Sequence, residues 1–91
     1  MDSNLQKYMA LLKTVEYGSF TKAAESLGYT QSSVSKMIAD LEQEWHISLL
    51  ERSRNGVQIT AEGMALLPYA QSLVNDYRLL RERVADTDDC S

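Results

Sequence analysis

The stretch GSFTKAAESLGYTQSSVSKMIADL, residues 18–41, decides the fold. It reads as two helices joined by a turn too tight for most side chains. Ser19 can cap a helix over about Phe20 to Leu27, Gly28 ends it, and Thr30 can cap the next, which runs to about Glu44. Ala24 lies four residues before Gly28, and Val34 six after it. Helices that cross this closely need a side chain no larger than a methyl on the first, which Ala24 supplies. The turn needs positive φ, which Gly28 tolerates. Ala23, Leu27, Tyr29, Val34 and Met37 then fill the apolar positions between the helices. Together these requirements describe a helix-turn-helix rather than a generic helical hairpin.

On the amino-terminal side, Leu5, Tyr8, Leu12 and Val15 recur at helical steps, predicting a helix from about Asn4 to Tyr17. Ser3 and Gln6 suit a capping box, and Gly18 suits a left-handed stop. In the third helix Val34, Met37, Ile38, Leu41 and Trp45 form the apolar stripe. Beyond it the period changes. Ile47, Leu49 and Leu50, then Val57 and Ile59, flank Arg52-Ser53-Arg54-Asn55-Gly56, predicting a two-stranded wing with its tip near Arg54 to Gly56. A long helix follows from Ala61 to about Val84, capped by Thr60 with Glu62 in its first turn. Within it Leu66, Ala70, Leu73, Tyr77, Leu80 and Val84 are spaced 4, 3, 4, 3, 4, which reads as the seam of a dimerising helix, with packing on the chain's own core as the alternative. Met64 and Leu67 add enough apolar surface to pack on the domain, and Pro68 predicts a kink. The predicted fold is mainly α. It is a winged helix-turn-helix over 1–60 (three helices plus a two-stranded β-wing), a linker or dimerisation helix over 61–84 and a flexible tail over 85–91.

Composition narrows the chemistry. A chain of 91 residues builds one modest core, burying about 60–65% of its unfolded surface. Its one cysteine, Cys90, and one histidine, His46, leave no disulfide framework, no metal cluster and no nucleophile–base pair. Glu42 and Glu44, two apart on a helix, do not face each other. No enzyme, cofactor or metal is therefore expected. No apolar run approaches the roughly 18 residues of a membrane span, and the start carries no secretory signal, which points to a cytoplasmic protein without a membrane partner. The net charge of −4, from nine basic and thirteen acidic residues, is unusual for a nucleic-acid binder. From residue 76 onward there are five acids and three bases, so residues 1–75 hold eight and six. Screening beyond about 10 Å lets a basic stripe survive an acidic total.

The third helix turns Gln31, Ser32, Ser35 and Lys36 away from its apolar stripe. Gln can bond adenine bidentately, Ser can reach a base or phosphate, and Lys can reach guanine or phosphate. Asp40, Glu42 and Glu44 follow and would repel phosphates, so a footprint should end before Asp40. Taken alone, Gln31, Ser32, Ser33 and Ser35 also suit a polar, capped helix start; beside the turn geometry they read as contacts.

Gly18-Ser19-Phe20-Thr21-x-Ala23-Ala24, Gln31-x-x-Val34-Ser35-x-x-Ile38, Leu41-Glu42, Leu49-x-Glu51-Arg52 and Thr60-x-x-Gly63 occur together in one chain. From about Leu5 to Val84 the sequence resembles the DNA-binding domain of LysR-type transcriptional regulators. The resemblance implies a winged helix-turn-helix followed by a linker helix that pairs two protomers. It implies base and backbone reading by Gln31, Ser32, Ser35 and Lys36. It implies phosphate contacts from Ser19, Thr21 and Lys22, and wing contacts from Arg52 and Arg54. Departures are Ser32 where proline is frequent, Leu50 where phenylalanine is common, and Trp45-His46-Ile47 in place of Leu-Gly-Val, where a turn of different shape is expected. His46 is read as a surface or turn residue.

The function expected is sequence-specific binding of double-stranded DNA by a homodimer. Antiparallel linker helices would hold two recognition helices roughly 34 Å apart on a pseudo-palindromic operator. Regulators of this type continue into a domain that senses a small-molecule effector; that domain is absent here, and a fragment is the expectation. A winged-helix dimerisation or protein-interaction module without DNA binding is the alternative, and an enzyme the third reading.

Overall fold

Gly28 adopts φ 77° and ψ 26° at the end of a helix, and the Tyr29 N–H donates to the Ala24 carbonyl at 2.9 Å. That is the left-handed turn the sequence requires, and it belongs to a computed structural model that describes residues 2–90, with side chains described for residues 5–86. In chain order the elements are α1 (Asp2–Tyr17), α2 (Phe20–Leu27), α3 (Gln31–Trp45), β1 (Leu50–Ser53), β2 (Gly56–Ile59) and α4 (Ala61–Cys90). The chain is mainly α, a winged helix with a long carboxyl-terminal helix, and measures 53 × 25 × 20 Å.

The core sits where α1, α2 and α3 meet. Ala23 and Ala24 from α2 close on Val34, Ile38 and Leu41 of α3, with Leu11 of α1 and Leu49 beneath them. Ala24 admits the crossing because it carries only a methyl. On α1 the buried centre is Ala10, Leu11 and Thr14, while Leu5, Tyr8, Leu12 and Val15 are only half-buried. The expected stripe is thus displaced around the helix. The reason is Thr14, whose hydroxyl donates to the Ala10 carbonyl at 2.8 Å and so enters the core without an unmet bond. The helix begins at Asp2, which puts Ser3 inside it rather than at its cap.

The wing is antiparallel with Leu50 opposite Ile59, Glu51 opposite Gln58, Arg52 opposite Val57 and Ser53 opposite Gly56, leaving Arg54 and Asn55 as its turn. Ile47 and Leu49, anticipated as strand residues, precede β1. The Glu42 carboxylate accepts the N–H groups of Leu49 at 2.7 Å and Leu50 at 3.2 Å, which holds this segment against α3. His46 closes α3 at φ 60°, the left-handed region that glycine enters with less strain.

The wing is also fastened to the α1–α2 corner. Val57 N–H donates to the Gly18 carbonyl at 3.1 Å. A methyl on Gly56 would stand 2.5 Å from that same oxygen, and Gly56 has φ 125°, so no other residue fits there without moving the wing.

Thr60 caps α4, accepting from Gly63 N–H at 3.0 Å and donating to the Ser48 carbonyl. The helix continues to Cys90 instead of ending near Val84; Ser91 lies outside the described residues. Neither glycine nor proline follows Val84, so nothing in the sequence terminates the helix. Ala70 and Val74 are buried, and Leu66 and Leu67 pack against the core, joining the first half of α4 to the body.

Candidate nucleic-acid interface

The start of α3 is built by Thr30. Its hydroxyl accepts the Ser33 N–H at 3.1 Å and bonds the Ser33 hydroxyl at 2.9 Å. Ser33 is therefore engaged in the cap and stands apart from the other polar residues of this turn. Gln31, Ser32, Ser35 and Lys36, with Ala39, line a shallow concavity of about 450 Å³ on the side of α3 away from Val34, Ile38 and Leu41. Gln31, Ser32 and Lys36 are exposed and Ser35 is half-buried. The structure thus gathers four of the five α3 residues singled out by sequence.

Helix α2 begins beside them. Ser19, extended at φ −156°, accepts the Lys22 N–H at 3.3 Å, and Thr21 and Lys22 are exposed on the first turn. Thr21 Oγ1 donates to Gln31 Oε1 at 3.4 Å. From the wing, the Arg52 guanidinium lies over the Phe20 ring, 5.1 Å from its centre. Arg52, Phe20, Thr21 and Gln31 therefore link the wing to α2 and α2 to α3. Arg54 is exposed in the wing turn. Sequence reasoning missed Phe20 as the platform for Arg52, although both residues stand in quoted motifs; what was hidden is the tertiary approach of the wing.

The charges sort in the same way. Lys7 pairs with Asp40 at 3.6 Å and Lys13 with Glu16 at 3.5 Å. Among the described residues Lys22, Lys36, Arg52 and Arg54 make no ion pair, so α2, α3 and the wing each present cations without a compensating carboxylate, as α4 does with Arg78 and Arg81. Glu42, counted by sequence among the acids that would bound a footprint, is instead spent on the backbone of Leu49 and Leu50. Among the described residues no group of three or more His, Cys, Asp or Glu side chains could hold a metal ion, and no helix is long and apolar enough to cross a membrane.

The α4 seam divides. Leu66 packs on the core and Ala70 is buried, whereas Leu73, Tyr77, Leu80 and Val84 are exposed. Tyr8 stacks on Trp45 with ring centres 5.9 Å apart. With Ile47, Leu66, Tyr69, Ala70 and Leu73 they line an apolar groove of about 420 Å³ along α4.

Comparison with known proteins meets this geometry directly. Residues 5–64 match the model of the bacterial regulatory helix-turn-helix proteins of the lysR family. The chain belongs to the lysR family. It is 41% identical over 88 residues to the HTH-type transcriptional regulator HdfR of Escherichia coli, covering 96% of this chain and 30% of that protein. The chain thus spans about 30% of the length of the curated relatives it matches. Among lysR-family structures, the BenM DNA-binding domain in complex with catB site 1 DNA superposes with TM-score 0.85 at 33% identity, over 92% of this chain and 94% of that one. The CbnR DNA-binding domain, also solved with DNA, gives TM-score 0.77 at 27% identity, over 94% of each chain. A Corynebacterium glutamicum OxyR mutant gives TM-score 0.88 at 28% identity, over 90% of this chain and 26% of that one.

Proposed function

We propose that this chain binds double-stranded DNA sequence-specifically as a symmetric dimer, as the DNA-reading part of a cytoplasmic transcriptional regulator. One observation carries the reading: the unpaired cations Lys22, Lys36, Arg52 and Arg54 flank an outward polar face of α3 that contacts tie to α2 and the wing. Two relatives of the same fold were solved on DNA. On this reading Gln31, Ser32, Ser35 and Lys36 meet the major groove. Ser19 and Lys22 approach phosphates beside the α2 N-terminus, where Thr21 stands against Gln31, and Arg52 and Arg54 reach the backbone from the wing. Ser33 contributes through the α3 cap. Small-molecule sensing belongs, by the family resemblance, to a domain following α4.

Dimerisation rests on α4. The spacing 4, 3, 4, 3, 4 is the same read in either direction, so antiparallel pairing about the level of Asn75 sets Leu73 opposite the partner's Tyr77. The same register sets Ala70 opposite the partner's Leu80 and Leu66 opposite the partner's Val84. Ala70, small between Leu66 and Leu73, leaves the groove in which a partner leucine can seat.

The test is titration of random and site-selected duplexes across a salt series. If each protomer neutralises about three or four phosphates, log K against log salt should fall with slope near −5 to −7 for the dimer. A flat salt response defeats the proposal. The net charge of −4 favours the second reading, a protein-docking winged helix, and absence of any shift of random duplex at low salt would select it.

A further inference from the structure

Gln31 has a neighbour that its own helix does not supply. Thr21, in the first turn of α2, donates its hydroxyl proton to Gln31 Oε1 across 3.4 Å. A threonine hydroxyl carries one proton and accepts through two lone pairs. A phosphate only accepts. Given to Gln31, that proton is not free for the DNA backbone, so Thr21 either orients Gln31 or donates to a phosphate, and cannot do both at once.

Orientation matters because an amide reads from two ends. Its oxygen accepts, its nitrogen donates, and a half-turn of the terminal bond exchanges them. Bidentate recognition of adenine needs both in one order, the oxygen to the exocyclic N6 and the nitrogen to N7. An amide free to turn also offers the reverse order and discriminates less. With Oε1 held toward α2, one oxygen lone pair and both amide N–H groups remain for the groove in a single order. The holder is itself held: Phe20, the residue before Thr21, is buried and carries the Arg52 guanidinium on its ring. Gln31 in turn lines the α3 concavity beside Ser32, Ser35 and Lys36.

We infer that Thr21 is a positioning residue for base discrimination, its hydroxyl fixing the Gln31 amide so that Gln31 selects one base, adenine, at its position. This rests on the proposal above that α3 reads DNA.

The test is selection of binding sites from random duplexes by the 91-residue chain and by Thr21→Val, Thr21→Ser and Gln31→Ala. Gln31→Ala identifies the base pair that Gln31 reads. Thr21→Val keeps the branched shape without the hydroxyl and should lower discrimination at that base pair by about five- to tenfold, leaving other positions unchanged. Thr21→Ser should retain it. A ratio between sequences is insensitive to partial misfolding, which removes active protein equally for all of them. Thr21→Val that leaves the selected sequence unchanged overturns the inference. So does uniform weakening on every sequence with a salt slope shallower by about one per protomer, which assigns Thr21 to a phosphate. If Gln31→Ala alters no base preference while DNA is still bound, the reading of Gln31 as a base contact fails, and the inference with it.

Discussion

In the winged body Leu11 and Leu41 are 1% exposed, while along the second half of α4 Leu80 and Val84 are 60% and 53% exposed. The side chains are of one kind and their treatment is opposite. Between residues 5 and 60 each apolar run has a facing element within the same chain. Along α4, Leu73, Tyr77, Leu79, Leu80 and Val84 face solvent, while Tyr77, Arg78 and Arg81 still line a hollow with Leu5, Met9 and Tyr29 of the body. Contiguous exposed apolar surface of this kind marks an interaction site more often than an accident. The body satisfies itself, and the long helix is shaped for company.

The sharpest way to break this contrast is Leu73→Glu. A carboxylate at the centre of the seam should convert the proposed dimer to monomer in sedimentation, and two-half-site DNA affinity should fall by about 100-fold as avidity is lost. The body should keep its thermal midpoint, because Leu73 is 51% exposed. An unchanged dimer removes the seam from the interface. Glu42→Ala strikes the other region. It leaves the fully buried Leu49 N–H without its acceptor and should destabilise the body by about 1–3 kcal/mol in denaturant unfolding, with the oligomeric state preserved at low denaturant. Lys36→Ala should weaken binding to the selected site by about 1–3 kcal/mol if Lys36 reads a guanine, measured by anisotropy titration. Arg54→Ala should have the smallest effect, weakening selected and random duplex alike and making the salt slope shallower by about 1 per protomer. Loss confined to one sequence would contradict a wing–phosphate role.

The same contrast shows what could be read before the fold was seen. The helix-turn-helix was legible because Ala24, Gly28 and Val34 impose steric requirements at fixed spacing, and the structure meets each of them. The α4 seam was legible as a period, but a period does not say whose core it serves; the buried Ala70 and the packed Leu66 belong to the chain's own body. Thr14 escaped because a polar residue that bonds its own helix leaves no mark in an apolar pattern. Glu42 escaped because its partners are backbone amides seven and eight residues along the chain, and backbone groups carry no sequence identity. Ser33 was grouped with the outward polar residues because sequence cannot say which of several adjacent hydroxyls the cap will claim.

The clasp between Gly18 and Val57, with no room for a methyl at Gly56, has a consequence for any duplex the chain grips. It makes the hairpin a fixed prong of the body instead of a swinging arm, and the distance from Arg52 to the tip of α3 becomes a gauge cut into the protein. On the proposed reading, DNA whose grooves are out of step with that gauge must itself twist or bend to be held. Preference among sequences would then arise partly from how readily each one deforms.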